Sequence, residues 1–264
     1  MKQESSLAVL LAVVGMLGSG GLAWAATGTS AAGTTTVGVE PAYYEGTYGT
    51  SATTRIYYLP FYVEYQQNNL ELKATVPLLA VHSSGTVLSG GAVVGNRGTT
   101  TSSTQSGLGD IWLEARYRIR GTGSAPDVLP YAKIKLGTAS RSSGLGTGSN
   151  DYEGGVGFEW SVDTSMFPFA DIGYRFVGSA PGIVLQDIAT YDAGISARVD
   201  SRDFLTGMFS GHGSEQPGFP GAADAIVAWN YNPQPDHGYQ VYLDKGLSNG
   251  SPAWGIGFGV QRRF

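Results

Sequence analysis

The sequence contains no cysteine and little charge, and both absences narrow what the protein can do. Without cysteine there are no disulfides, no thiolate zinc sites, no thiol nucleophile and no N-terminal cysteine to carry a lipid. The 264 residues include 16 basic and 21 acidic side chains, a formal net charge of −5. Nucleic-acid binding needs a concentrated basic face, so this balance argues against a nucleic-acid partner. Beyond the N-terminus no run of about 18 apolar residues occurs, so no spanning helix is predicted.

Residues 1–25 are predicted to be a signal peptide. Lys2 supplies a weak positive start, and the apolar stretch 7–17 is too short to span a membrane. Ala23 and Ala25 place small residues at the positions that a signal peptidase reads, which puts the cleavage before Ala26. The alternative is a buried N-terminal helix. The exported chain, residues 26–264, is then either soluble or a membrane β-barrel.

Apolar and polar residues alternate with a period of two along most of the remaining sequence, which predicts β-strands. Within 110–120 the odd positions are apolar, and the even positions are charged or polar apart from Trp112. About twelve such segments occur, near residues 35–48, 52–65, 69–80, 108–120, 127–138, 150–163, 166–178, 186–199, 202–211, 222–232, 237–246 and 252–264.

The connections between these segments alternate in length, as they do in single-chain outer-membrane barrels. The short ones are 66–69, 163–165, 200–201 and 232–236. The long ones are 82–107, 139–149 and 211–222, and 247–251 is a short exception on the long side. A soluble sandwich has no reason to collect its long loops on one side, so the pattern favours an up-and-down barrel.

The alternation alone does not say whether the apolar face packs inward or contacts lipid. The predicted strands are long enough to cross a bilayer when tilted, and aromatic residues collect near their ends. The residues predicted to form an aromatic girdle are Tyr57, Tyr65, Trp160, Tyr174, Trp229, Tyr231, Trp254 and Phe264.

The opposite face carries charges and many glycines, as a wet interior does. The residues predicted to line a pore are Glu71, Lys73, Glu114, Arg116, Arg118, Lys133, Lys135, Glu153, Glu159, Asp171, Arg175, Asp192 and Arg198. These charges either form a basic wall facing carboxylates across the pore, or pair with one another and stiffen the interior. The glycines either leave room along one wall or relieve strand curvature; they are Gly155, Gly157, Gly255, Gly257 and Gly259.

Several motifs resemble the outer-membrane family named for the meta-pathway of phenol degradation. They are Gly107-Leu108-Gly109-Asp110 before the strand 111–118, the glycine run 144–148, the segment 172–176 and the ending 246–252. The resemblance runs from about residue 35 to the end, and 136–138 departs from the Pro-Thr-Gly that the family often carries. It implies a barrel of about twelve strands that passes small, often aromatic or hydrophobic, compounds, and it supplies no catalytic residue.

The terminal Phe264 closes an alternating strand, which resembles the signal read by the outer-membrane assembly machinery, although Arg262 departs from its usual apolar pattern. The expectation is an all-β protein: one transmembrane antiparallel up-and-down barrel of about twelve strands, after a signal peptide, in the outer membrane of a Gram-negative bacterium. Its expected partners are outer-membrane lipid, the assembly machinery and a small-molecule solute.

The expected function is a passive channel for small solutes, without catalytic residues, metal or cofactor. The first alternative is a closed structural or surface-interaction barrel that acts through the loops 82–107 and 139–149. A remote alternative is an integral lipid hydrolase, because His212 and Ser214 have the spacing of such enzymes, although they fall in an expected loop.

Overall fold

The computed structural model describes residues 33–83, 86–89, 92–95 and 103–264, so the predicted signal peptide and its cleavage site lie outside the described residues. The strands are β1 Thr34–Val39, β2 Ala42–Gly46, β3 Thr54–Gln67, β4 Leu70–Ser83, β5 Thr86–Ser89, β6 Ala92–Gly95, β7 Ser103–Leu108, β8 Ile111–Tyr117, β9 Asp127–Leu136, β10 Asp151–Glu159, β11 Met166–Phe176, β12 Ile188–Arg198, β13 Asp203–His212, β14 Ala222–Gln234, β15 His237–Gly246 and β16 Trp254–Arg263. No helix in these ranges is long and apolar enough to cross a membrane.

The sheet closes on itself. Each barrel strand pairs antiparallel with the next along the chain, and the first pairs with the last, for example Val39 with Val260. Strands β1 and β2 are two halves of the first barrel strand, and β7 and β8 are two halves of the fourth. The described residues therefore form a closed barrel of twelve antiparallel strands, which confirms the predicted fold class.

The structure corrects two details of the predicted strands. The first barrel strand is interrupted at Glu40 and Pro41, because proline has no N–H to donate to the sheet. The long loop predicted at 82–107 is shorter than expected, since β4 continues to Ser83 and β7 begins at Ser103. Between them, β5 and β6 pair as a separate hairpin.

The two ends of the barrel differ in their connections. At one end, here called the turn end, short turns join the strands except for the longer connection 118–126; at the other, the loop end, most connections are longer. Two of the short turns are held by aspartates: Asp163 accepts the backbone N–H of Ser165 at 2.6 Å, and Asp200 accepts that of Arg202 at 2.6 Å. These hydrogen bonds stabilise the charged carboxylates, so the pKa of each aspartate lies below its usual range.

The two faces of the wall differ sharply in burial. On β3, Ile56 is 0% exposed and points inward, whereas its neighbour Tyr57 is 56% exposed and points outward. The same alternation runs around the barrel and leaves an outer surface rich in exposed apolar side chains, among them Leu72, Val76, Leu113, Ile172, Ile195, Leu205, Val227, Leu243 and Phe258. An apolar surface this extensive is not typical of a monomeric soluble protein.

A pair of tyrosines spans the last strand where the barrel closes. Tyr44 on β2 lies over Gly255, and Tyr242 on β15 lies over Gly257. The two hydroxyl oxygens meet across β16 at 2.5 Å, and both side chains are buried. A Cβ atom added to Gly257 would lie 2.2 Å from the Tyr242 ring, so only glycine leaves room for this arrangement.

A second tyrosine spans the first strand in the same way. Tyr62 on β3 lies over Gly38 of β1, and its hydroxyl donates to Oε1 of Gln261 on β16 at 2.6 Å. The first and last strands are thus tied together by side-chain contacts as well as by backbone hydrogen bonds. We call Tyr44, Tyr242 and Tyr62 the seam tyrosines.

Of the two expectations about the inward glycines, these contacts contradict the one in which the glycines leave room along the wall. At Gly255 and Gly257 the seam tyrosines fill the space, at Gly155 the ring of Tyr131 does so, and at Gly157 the carboxylate of Asp171 lies against the backbone. The missing side chains therefore do not leave room along the wall. They make room for large side chains from neighbouring strands.

We predict that Gly257→Ala destabilises the barrel by about 1–3 kcal/mol, because the added methyl group displaces the buried Tyr242 ring. The matched control is Gly207→Ala on the outward face of β13, where nothing lies within 4 Å of the added atom. Urea unfolding of both variants in lipid vesicles measures the difference. Equal stability of the two variants would show that the packing of the Tyr242 ring does not require glycine at position 257.

Candidate functional site

The barrel interior is the candidate site, and the structure places all thirteen charged residues predicted to line a pore on its inward face. Glu71 and Lys73 lie on β4, Glu114 and Arg116 on β8, Lys133 and Lys135 on β9, Glu153 and Glu159 on β10, Asp171 and Arg175 on β11, and Asp192 and Arg198 on β12, while Arg118 directly follows β8. Their role in a pore remains a prediction.

Most of these charges belong to four separate groups of ion pairs along β8, β9, β10 and β11, here together called the ion-pair network. Its ion pairs are Arg116–Glu114, Arg116–Asp171, Arg118–Asp127, Arg118–Glu159, Lys133–Glu114, Lys135–Asp110, Lys135–Asp151, Arg175–Glu153 and Arg175–Glu215. Bases and carboxylates alternate on the same side of the barrel. Of the two expected arrangements, the structure therefore has the paired one and not a basic wall facing an acidic wall.

Arg116 shows how closely the network is held. Its Nε lies 2.5 Å from Glu114, its Nη1 lies 2.8 Å from Asp171, and its guanidinium stacks on the Tyr131 ring with 4.9 Å to the centroid. Asp171 comes from β11, three strands away, so this arginine braces the wall across β9 and β10. Such a side chain has little freedom to follow a passing solute.

The most deeply buried base is Lys135, whose side chain is 0% exposed. Its Nζ lies 2.8 Å from Asp151 and 3.4 Å from Asp110. An unpaired charge at this depth would be very costly, so the three residues are stable only as a unit.

The other side of the interior carries a large apolar cluster, interspersed with buried polar residues such as Thr206, Asp224 and Asp244. A continuous buried cluster includes Tyr44, Ile56, Phe167, Phe169, Phe204, Met208, Ile226, Ala228 and Tyr242, from β2 and β3 and from β11 to β15. The interior therefore has a side of ion pairs and a side, here called the apolar side, where aromatic and aliphatic residues alternate with polar ones. A solute that passed through would meet both.

Two connections fold into the loop end. Leu145, from the connection between β9 and β10, is 1% exposed and joins the apolar cluster. Its neighbourhood is anchored to the break between β7 and β8, where Asp110 accepts the backbone N–H of Ala139 at 2.9 Å. Glu215, from the connection between β13 and β14, pairs with Arg175 at 3.2 Å. Both connections narrow this end of the barrel.

The predicted residues outside the ion-pair network contact other kinds of group. Lys73 lies 4.5 Å from the centre of the Tyr62 ring, and Asp192 accepts a short hydrogen bond from Ser210. Glu71 is paired with Arg116 in the register of β4 and β8. Among the described residues, Arg198 lies over two aromatic rings, which are described below.

The inward aromatic residues, including Tyr44, Tyr62, Phe167, Phe204 and Tyr242, were not predicted as part of the interior. For most of them the signal is present in the sequence, because Tyr62, Phe204 and Tyr242 alternate in step with polar inward residues. Phe204, for example, is two residues from Thr206, which is 1% exposed. Because residues two apart in a strand lie on the same face, the inward position of Thr206 would have placed Phe204 inside the barrel as well.

The eight residues predicted to form an aromatic girdle point outward and fall into two groups near the ends of the strands. Tyr57, Tyr174 and Trp254 are near the loop end, and Tyr65, Trp160, Trp229, Tyr231 and Phe264 are near the turn end. Tyr57 and Trp254 both border Tyr43, with ring centroids 5.0 and 5.2 Å away. Their role at a membrane surface remains a prediction.

The spacing that suggested a lipid hydrolase is not accompanied by a contact between its two residues. Nδ1 of His212 lies 2.7 Å from the carbonyl of Gly213, and the Ser214 hydroxyl donates to the carbonyl of Gln216 at 2.7 Å. In the part of the chain that the structure describes, no cluster of three or more His, Cys, Asp or Glu side chains is arranged to hold a metal ion.

These features define the class of protein. It is a closed, twelve-stranded antiparallel barrel whose outer face is apolar and whose interior contains paired charges, the reverse of the arrangement in a soluble protein. No family model and no curated protein matches the sequence. The fold is similar to an outer-membrane channel from Pseudomonas putida F1, with a TM-score of 0.66 and 15% identity over 88% of this chain and 96% of that chain.

Two other solved structures show that this fold serves different functions. One is NanC porin, with a TM-score of 0.53 and 12% identity over 85% of this chain and 97% of that chain. The other is the translocator domain of the autotransporter NalP from Neisseria meningitidis, with a TM-score of 0.55 and 9% identity over 88% of both chains. At these identities the likeness establishes the fold alone.

We predict that Lys135→Met lowers the free energy of unfolding by about 3–5 kcal/mol, because it leaves Asp110 and Asp151 buried without their cation. Adding Asp151→Asn should recover part of the loss, since one of the two orphaned charges is then removed. The control is Lys245→Met, an exposed lysine at the loop end, with an expected change within about 0.5 kcal/mol. A loss in Lys135→Met no larger than that of the control would contradict the prediction.

Proposed function

We propose that this protein is a channel of the bacterial outer membrane that lets small solutes pass passively. The observation that carries the proposal is the closed barrel with an apolar outer face and a charged inner face. In a bilayer every backbone polar group must be paired within the protein, which a closed barrel achieves. The similar channel of Pseudomonas putida F1 supports the same reading.

We further propose that the solutes include small aromatic or hydrophobic compounds. The apolar side of the interior supports this, because Phe204, Met208 and Ile226 extend the cluster along the wall opposite the ion-pair network. The resemblance of the sequence motifs to the family named for phenol degradation points the same way.

A closed barrel that acts through its surface loops is the second candidate. The inward fold of the connections that carry Leu145 and Glu215 favours it, because both occupy space at the loop end. The seam tyrosines also point inward and occupy further space in the interior. The two candidates differ in one measurable property, which is whether any solute crosses the barrel.

Solute flux into vesicles separates them. The protein is purified from the membranes of a Gram-negative expression host, so that the host removes the signal peptide, and is reconstituted into liposomes. We expect benzoate and benzamide to enter faster than glucose, after subtraction of the flux into protein-free liposomes. A heat-dependent shift in gel mobility confirms that the reconstituted barrel is folded.

The outcomes are distinct. Preferential entry of the aromatic compounds supports a selective channel, and equal entry of all three supports an unselective pore. No entry of any solute into liposomes with folded protein would contradict the channel and favour the closed barrel.

A further inference from the structure

Arg198 differs from the other inward arginines in what surrounds it. Arg116, Arg118 and Arg175 each contact two carboxylates. Within the described residues, the guanidinium of Arg198 instead lies over two aromatic rings, 5.2 Å from the centre of Phe204 and 5.8 Å from that of Phe167. It forms no ion pair there, so its N–H donors face the interior without an acceptor.

The two rings hold this arginine in place. Phe167 is 0% exposed and Phe204 is 5% exposed, and their centroids are 6.4 Å apart. Cation–π contacts to both rings restrict the side chain, while Arg198 itself is only half-buried. The cation is therefore positioned near the turn end and still accessible from the interior.

A second unpaired donor lies in the same row of residues. Arg198 pairs with Phe204 in the register of β12 and β13, and Phe204 pairs with Asn230 in that of β13 and β14. Asn230 is 1% exposed, and its Oδ1 accepts from Gln240 at 2.8 Å, but its Nδ2 has no hydrogen-bond partner in the described part of the chain. A buried amide without a partner is costly, and such a group calls for a ligand.

Donors without acceptors thus flank the Phe204 ring on both sides. Two strand spacings, about 10 Å, separate the backbones of Arg198 and Asn230, and the long arginine side chain already reaches over the ring between them. A guanidinium and an amide N–H are the groups that bind a carboxylate, the guanidinium with two parallel hydrogen bonds. An anionic ligand would supply the acceptors that these donors lack.

The surroundings define the rest of the ligand. Toward the loop end, the inward positions of β13 and β14 beyond this row include Met208, Ala228 and Ile226 of the apolar cluster. The hydroxyl of Thr206, which lies between Phe204 and Met208, already donates to Ser196. A carboxylate bound at Arg198 would therefore extend an apolar body along that wall. A bare inorganic anion would not use it.

We propose that Arg198 and Asn230 form a subsite near the turn end that binds a small carboxylate with an apolar body. This inference rests on the proposed channel function for its biological meaning, and it names one class of solute: hydrophobic monocarboxylates. Binding at the subsite is nevertheless measurable whether or not the barrel conducts. The two proposals therefore fail separately.

The test is calorimetric titration of the folded, full-length processed protein in detergent with benzoate, benzamide and acetate. Benzamide has the shape of benzoate without its charge, and acetate has the charge without the apolar body. We expect benzoate to bind more tightly than either. Arg198→Gln should raise the benzoate Kd by about tenfold or more, because a charge-assisted hydrogen bond is lost.

The matched control is Arg202→Gln, which removes the same charge from an exposed turn at the same end and should leave the benzoate Kd unchanged. Arg198→Lys serves as a second variant if Arg198→Gln does not fold. It keeps the charge but loses the paired hydrogen bonds, so its Kd should lie between those of the wild type and the glutamine variant. Asn230→Leu should weaken benzoate binding while leaving benzamide unaffected.

Several results would overturn the subsite. They are the absence of benzoate binding to the wild type, equal affinity for benzoate and benzamide or for benzoate and acetate, and an unchanged Kd in Arg198→Gln or Arg198→Lys. Benzoate binding without solute flux would retain the subsite and reject the channel. Solute flux without benzoate binding would retain the channel and reject the subsite.

Discussion

Pairing of the first strand with the last is the interaction on which the rest of this structure depends. Once β1 and β2 pair with β16, the sheet is closed into a barrel, and every strand acquires a fixed inward and outward face. The apolar outer wall, the buried charges and the aromatic interior all follow from that division. A slip of one residue at the closure would exchange the two faces of a strand, placing Gln261 outside and Val260 inside.

The interior resolves a conflict between charge and burial. Arg116, Lys135 and Arg175 are accommodated inside the barrel because each lies within 2.8 Å of a carboxylate oxygen. Their charges are largely neutralised locally, so the network contributes rigidity more than a long-range field. What a solute can recognise is then decided by the few polar groups that remain unpaired and by the apolar side of the wall.

The strands and their faces could be predicted because each segment on its own shows the alternation of apolar and polar residues. In β8 and β16 the alternation alone separates inward from outward residues. The partners could not be predicted, since contact between Tyr44 and Tyr242, 198 residues apart, depends on the register of three strands. The register of neighbouring strands also decides the partners of the inward arginines. It places carboxylates beside Arg116 and aromatic rings beside Arg198. The hairpin of β5 and β6 lies in a segment whose low-complexity composition indicated only a loop.

The seam tyrosines have a consequence for how the barrel assembles. The hydroxyls of Tyr44 and Tyr242 meet only after β16 has been inserted between their strands, and Tyr62 reaches Gln261 only after β1 has docked on β16. These contacts contribute nothing to an open sheet and become available together at the final step. They therefore stabilise the closed barrel relative to every intermediate with an incomplete sheet. Because they form only in the last step, they slow the reopening of the barrel more than they accelerate its closure.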